Sequence, residues 1–465
     1  MRRSGLALST AMALFWAAFL MMAAAIPAHA ATWYAAPGAN GSGTSAAEPG
    51  DLRTLVEDRS AAGDRVELAS GTYIIARRIW ARHQLTLHGA GMGKTILKAA
   101  SGEDILAIYA EDATPANTAV RAMTFLNGAY YQLDILKGSP TVENVEFLGT
   151  VKNNSLIIRD GHPVIKKSRF KARSWEGLYA CTPGAPLLVT GCLFSVPDGT
   201  GIRYLAVDSG SIEKCSFKGN ATGIDISALE TIYQTKNSAV LIQGNTFLGN
   251  SLGIGLSGGK NATDSSTIRG NTFQSNVLGI QANADPKGVE KSKIDSNRFL
   301  SNTRGLELDS TRAVVINNLF ANSKEMNIRS QEGVNTIAFN TIAKAGAGGL
   351  VLVGIGFSFG DKSLVANNIF VSNAGYGVSV DSFSDKVRMG GNDWFGNAEG
   401  AVYGIYRDIG GNLAAAPKFK TGSYALAAGS PLINKAIAAF TTDHDITGAK
   451  RTKPDIGAYE YVTNR

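Results

Sequence analysis

The chain has 465 residues, with 53 glycines, 13 prolines and only 18% charged residues. Its glycines are spread along the sequence rather than gathered in linkers, which argues against a string of globular domains and for one elongated domain. The formal charge of +7 is modest, and no basic tract suggests a nucleic-acid partner.

The N-terminus reads Arg2-Arg3, then apolar and small residues from Gly5 to Ile26, then Ala28-His29-Ala30. A positive start, an apolar stretch and a small-x-small site predict a secretory signal peptide over residues 1–30, cleaved after Ala30. A retained membrane anchor is the alternative. Cleavage removes Arg2 and Arg3 and lowers the charge to +5. The expected location is secreted or periplasmic, with no stable membrane insertion after cleavage.

Residues 31–118 are expected to form an N-terminal cap and the first coils. The segment from Thr32 to Thr44 reads as a strand entering a Gly-rich loop. Asp51-Leu-Arg-Thr-Leu55-Val56 reads as a short amphipathic helix, with Asp51 capping and Leu52, Leu55 and Val56 on one side. A helix there would close the open end of a solenoid.

From 119 to 395 a single line recurs. Its clearest copies are Ile242-Gln-Gly-Asn245-Thr-Phe247, Ile268-Arg-Gly-Asn271-Thr-Phe273 and Ile294-Asp-Ser-Asn297-Arg-Phe299. The closing residue falls at Phe125, Phe147, Phe170, Phe194, Phe217, Phe247, Phe273, Phe299, Phe320, Ile342, Phe370 and Trp394, making twelve units 21 to 30 residues apart. Five residues before each stands an apolar residue, and two before the last seven stands an asparagine, from Asn245 to Asn392. Such self-similarity means a repeat architecture. The units are too short, Gly-rich and β-branched for helical hairpins, so each predicts one turn of a coil of parallel strands, with equivalent residues stacked about 4.8 Å apart. The asparagines then serve as a structural amide ladder at a turn.

Cys192 and Cys215 share one repeat position, where parallel side chains point the same way and suit a disulfide poorly. They are expected as stacked free thiols; Cys181 has no evident mate. The longer units predict projecting loops near 229–237, 258–266, 284–291 and 354–362. Asn220 and Asn261 sit in N-glycan sequons, a weak signal. Residues 396–465, with Pro417, Pro431 and Pro454, are expected to wrap the far end or run back along the coil as an irregular cap.

The aromatic first strand, Gly63-Asp64-Arg-Val-Glu-Leu68, Gly71-Thr-Tyr73 and the repeats together resemble the right-handed parallel β-helix proteins of the pectin-lyase-like superfamily. The ending from Asp443 to Tyr461 is similar to a tail of bacterial exported β-helix proteins. The resemblance implies an all-β right-handed parallel β-helix of about 12 or more coils, with a short N-terminal capping helix and an irregular C-terminal cap. It does not fix an activity, because that superfamily holds lyases, hydrolases, epimerases, esterases and non-catalytic surface proteins. The polygalacturonase-like and pectate-lyase-like signatures are absent: only Gly161-His162-Pro163 and Lys293-Ile294-Asp295-Ser296 echo them.

A second line follows each closing residue: Gly177-Leu178, Gly201-Ile202, Gly223-Ile224, Gly253-Ile254, Gly279-Ile280, Gly305-Leu306, Gly349-Leu350 and Gly377-Val378. Since side chains alternate across a strand, the residue two after the glycine should point outward. That column reads Tyr179, Arg203, Asp225, Gly255, Gln281, Glu307 and then Asn327. Two residues further on stand Ser227, Ser257, Asn283, Asp309 and Arg329.

Aromatic, cationic and acidic groups along one flank suit a sugar chain laid on the coil. For elimination at a uronate, Arg203 would neutralise the carboxylate and Tyr179 would take the α-proton. For hydrolysis, Glu307 and Asp309 would be the carboxylate pair. Asp225 completes the candidate catalytic set; Gln281, Asn283 and Arg329 are candidate substrate contacts, as are Lys166, Arg169 and Arg173 of the basic stretch 166–173. The bland account of all of them is a solvated ladder alternating in sign. No motif specifies a cofactor; Ca²⁺ is the metal the acidic cluster would take. The expected protein is an exported monomer with a polysaccharide substrate or ligand, a lyase or hydrolase of an extracellular or cell-surface glycan, the alternative being a non-catalytic adhesin or matrix protein.

Overall fold

The computed structural model describes residues 30–181, 186–205, 209–228, 238–258, 263–284, 289–354, 362–381 and 386–462. Residues 1–29, and with them nearly all of the expected signal peptide, lie outside that set, as do most of the four expected loops. No helix among the described residues is long and apolar enough to cross a membrane.

The chain winds as a parallel β-solenoid. Each coil adds one strand to a 14-stranded sheet running from Ile79–Ala81 to Gly400–Tyr403, and most coils add two short strands to a 28-stranded sheet. The repeats stack in the expected register: Phe217 on Phe247, Phe247 on Phe273, Phe273 on Phe299. Nine phenylalanine rings from Phe125 to Phe320 form one pile, with centroids 4.4 to 5.4 Å apart and planes within 16° of parallel. Ile342 interrupts it, and Phe370 and Trp394 resume it at 4.9 Å. The apolar residue five positions earlier is buried in all twelve units, so both columns fill the interior.

The turns follow from two left-handed bends per coil. Gly244 (φ +64°) precedes Asn245, and Gly249 (φ +64°) precedes Asn250. Glycine adopts that conformation without a Cβ clash, and the bend aims the next side chain into the turn. Each ladder asparagine then accepts the backbone N–H and the side-chain amide of the asparagine one coil earlier, at 2.8 and 3.0 Å for Asn245 onto Asn271. The run continues through Asn297, Asn318, Asn340, Asn368 and Asn392 to Asn412. A second ladder, not anticipated from the sequence, links Asn220, Asn250, Asn276 and Asn302, three residues after each closing phenylalanine. Asn220 is therefore buried and is no glycan acceptor.

The cysteines continue the first ladder. Ser168 N–H donates to Cys192 Sγ, Cys192 N–H to Cys215 Sγ, and Cys215 N–H to Asn245 Oδ1. The two thiols are free and buried, and Cys181 is free and exposed.

At the N-terminal end the helical segment Leu52–Arg59 covers the first coils, with Leu52, Leu55 and Val56 buried. Asp51 Oδ1 accepts Thr54 N–H at 2.9 Å, and Glu57 accepts Trp80 N–H at 3.0 Å, fixing the helix to a strand below. Asp51→Ala should lower stability by about 1 kcal/mol, read as a drop in Tm.

Of the two courses foreseen for the C-terminal segment, it takes the backward one. Ile437, Thr442, His444, Arg451 and Gly457 contact Asn367, Asn317, Asp295, Asn317 and Asn367 respectively. Leu426, Leu432 and Ile456 pack on Ala343, Ile369 and Val371, and Ile446 and Tyr459 on Leu319 and Ala321. The strands beneath are thus buried on both faces.

Candidate functional site

The outer face of the 14-stranded sheet carries the expected column. In register run Asp134, Ile157, Tyr179, Arg203, Asp225, Gly255, Gln281 and Glu307. The glycine column beneath lets adjacent coils close up: a Cβ on Gly223 would stand 2.5 Å from the Gly253 carbonyl oxygen.

The register corrects one step of the sequence reading. Arg329, not Asn327, follows Glu307, and Asp309 is followed by Gln331. Asn327 takes the place of the missing glycine and is buried, its amide donating to the Ala343 carbonyl.

Tyr179, Arg203 and Asp225 are neighbours on three successive coils. Arg203 Nη1 donates to Glu176 Oε1 at 3.4 Å, and Arg203 Nε stands 3.4 Å from Asp225 Oδ2. Glu176 also accepts from the Asn154 amide. Burial pushes both carboxyls above their ordinary range, against the pull of Arg203. Burial raises the Tyr179 phenol too, helped by the Cys181 thiol beside it.

An open groove of about 400 Å³ runs over Asn154, Glu176, Tyr179 and Arg203, lined also by Tyr131, Asn153, Arg159 and Trp175. Trp175 is 69% exposed. Arg159 lies over the Tyr131 ring at 5.0 Å and grips Asp134 with two hydrogen bonds of 2.9 and 3.3 Å. A smaller depression of about 200 Å³ takes in Asp225 and continues over Gly255, Ser257, Gln281 and Asn283.

Other candidates stand elsewhere or are already engaged. Glu307 is ion-paired with Arg304 on its own strand, Arg329 donates to Gln331 at 2.7 Å, and Asp309 accepts from Ser310 at its exposed end. The Glu307–Asp309 pair is therefore held apart in two local contacts. Lys166 and Arg169 lie on the 28-stranded sheet, away from the groove, where Glu143 and Glu146 balance them at 3.3 and 4.0 Å. Arg173, in the bend before the Glu176 strand, pairs with Asp198 at 3.0 Å.

Sequence reasoning missed Glu176, Asn154, Trp175 and Arg159. The first two share one column, Tyr131, Asn154, Glu176, Thr200 and Thr222, immediately before the glycine line. A buried carboxylate at that position, in a run of Thr and Tyr, was the available signal.

A family model described as right handed beta helix region matches residues 135–290, and one described as periplasmic copper-binding protein (NosD) matches residues 265–412. The second stretch contains no histidine and no cysteine, and the described residues hold no group of three or more His, Cys, Asp or Glu placed to bind a metal.

No curated protein matches the chain. Among solved structures, a PL6 family alginate lyase, AlyGC, is similar at 14% identity and a TM-score of 0.51, over 82% of this chain and 53% of that one. The chain thus spans about half of that lyase. XylC bound to xylose aligns at 10% identity and TM-score 0.41, over 92% of this chain and 98% of that one. A tailspike protein mutant of E. coli bacteriophage HK620, in complex with a pentasaccharide, aligns at 11% identity and TM-score 0.49, over 73% and 72%. At these identities the likeness is one of fold.

Proposed function

This chain is a right-handed parallel β-helix protein with the fold of the pectin-lyase-like superfamily, and from that premise we propose that it cleaves a polysaccharide laid in the Trp175–Arg203 groove. The observation that carries the reading is one guanidinium bracketed by the buried Glu176 and the half-buried Asp225, where the open groove meets the depression beyond it. The Arg78–Trp80, Lys152–Tyr130 and Arg159–Tyr131 pairs extend an aromatic and cationic face towards the N-terminal end, which suits sugar rings and tolerates acidic ones.

The geometry favours hydrolysis over elimination. A lyase needs a cation free to neutralise the uronate carboxylate, and both neighbours of Arg203 already claim it. Two carboxyls raised by burial instead supply the two forms hydrolysis needs: one protonated to release the leaving oxygen, one ionised to activate water. Glu176, tied to Asn154 and deeper in the groove, takes the acid role and Asp225 the base role. Tyr179 and Trp175 hold the sugar. Because the acid must keep its proton, activity should fall as pH rises through the elevated pKa of Glu176.

We read the protein as exported, with a glycan outside the cytoplasm as substrate; the signal-peptide pattern of the N-terminal sequence and the match to a family described as periplasmic support this reading.

The test is a panel of acidic and neutral polysaccharides, scored for new reducing ends and for the absorbance of unsaturated uronates. Reducing ends without that absorbance are expected, with Glu176→Gln and Arg203→Met each losing about 10²-fold or more in kcat/KM. Unsaturated products would make the protein a lyase. Binding with no product from any glycan would make it an adhesin, a reading that the exposed Trp175 ring also suits.

A further inference from the structure

The coils beginning at Thr263 and Val289 carry a small third sheet, in which Thr263–Asp264 pairs in parallel with Val289–Glu290. Ser238 bridges to Asp264 from the coil before. Ser238, Asp264 and Glu290 therefore form one column, and all three are fully buried. Each acid spends one oxygen on the turn: Ser266 N–H donates to Asp264 Oδ1 at 2.9 Å, and Ser292 N–H to Glu290 Oε1 at 2.8 Å. The other two carboxylate oxygens, Asp264 Oδ2 and Glu290 Oε2, have no hydrogen-bond partner. Neither do the hydroxyls of Ser238 and Ser292, which are equally buried. Among the described residues no ion pair to either acid is found.

Two stacked carboxylates without a counter-charge are an expensive arrangement in a dry interior. Register partners in a parallel sheet stand about 4.8 Å apart. One cation could therefore bridge the two side chains. The free oxygens of the two acids are hard donors on adjacent coils, with the Ser292 hydroxyl beside Glu290, and such donors suit calcium rather than a soft metal. We propose that the Asp264–Glu290 step is a structural calcium site, ligated by the free oxygens of both carboxylates with the Ser292 hydroxyl beside Glu290. Its residues are not among those that line the groove or the depression beyond it, nor are they Glu307 or Asp309.

Proton and metal compete for this site. With no cation present, burial holds Asp264 up at about 6 and, with the charge of Asp264 added, Glu290 up at about 8. Carboxyls whose pKa is raised on folding stabilise the fold below their unfolded values, and that contribution is lost as pH rises through the folded ones. The metal-free protein should therefore lose stability between about pH 4 and about pH 8, and calcium should cancel the loss by replacing the proton.

The experiment follows thermal unfolding of the whole chain at about pH 6 and about pH 8, in chelator and in calcium, with radiocalcium bound at equilibrium dialysis as a second readout. We expect one calcium per chain, a Tm raised by about 3 °C or more at the higher pH, and neither effect in the isosteric double variant Asp264→Asn/Glu290→Gln. Asp309→Asn should keep both effects. Should the double variant not fold, Ser292→Ala serves instead, raising the half-saturating calcium about tenfold. Wild-type protein that binds no calcium, a double variant that binds as the wild type does, or a pH-dependent Tm that calcium leaves unchanged would each overturn the site. The last of these results would leave a shared proton in its place.

Discussion

Asn297→Leu should lower the stability of the coil by about 3–5 kcal/mol, the range for a buried polar network broken at its middle. The side chain is fully buried and makes four bonds along the axis. Its Oδ1 accepts the Asn271 backbone N–H and side-chain amide at 2.9 and 3.0 Å. Its Nδ2 donates to the Ile268 carbonyl and to Asn318 Oδ1 at 2.8 and 3.0 Å. Leucine fits the volume but takes away the partner of the Asn271 N–H, of the Asn271 amide and of the Ile268 carbonyl, while Asn318 Oδ1 keeps only the backbone N–H of residue 297. Asn297→Ser should lose roughly half as much, because Ser168 holds the equivalent position and its hydroxyl accepts Val145 N–H at 3.2 Å. Urea titration of the three proteins measures this. A leucine variant within about 1 kcal/mol of wild type would mean that the ladder does not hold the coils together.

Arg451→Met should release the C-terminal strap while leaving the solenoid folded. The Arg451 guanidinium has no exposed surface and lies 4.4 Å over the Phe339 ring. It donates to the carbonyls of His444, Asp455 and Gly457 and to Asn317 Oδ1 on the coil, and pairs with Glu460. Phe339 itself holds a left-handed backbone (φ +56°), unusual for so large a residue, and the arginine covers it. Removing one member of a buried ion pair costs about 3–5 kcal/mol, since the other is left uncompensated. Burial already raises Asp455 and Glu460. Without Arg451 the strap should dock less well as pH rises and these acids ionise. Limited proteolysis at rising pH should cut the variant between Leu413 and Arg451, with the coil core intact. A strap that stays protected in Arg451→Met would show that its apolar contacts alone suffice.

The columns were legible because a parallel coil gives each residue the same environment once per turn, so Phe217, Phe247, Phe273 and Phe299 all report one position. The same logic failed where a coil lacks its marker. The unit after Phe320 has no Gly-Ile pair, and counting from the wrong residue put Asn327 outside and moved Arg329 one step too far. The second amide ladder, from Asn220 to Asn302, was equally periodic, but Asn220 was noted only as part of a sequon. The site was half legible. Tyr179, Arg203 and Asp225 follow from alternation alone, whereas Glu176 enters through a strand start, where a buried acid reaches sideways to Arg203. The strap was announced only indirectly. Outward positions held by Thr272, Gln274 and Arg298 become Leu319, Ala321, Ile369 and Val371, apolar groups that require a cover.

The returning strap also acts as a gauge. It is fastened at Asp295, Asn317, Thr341 and Asn367, points separated by whole turns rising about 4.8 Å each. Duplicating or deleting a turn within that stretch would throw every fastening out of phase. Between Thr141 and Glu290 the same event would meet no such check. Length variation among proteins built on this plan should therefore accumulate before Asp295, and the final turns should keep their number.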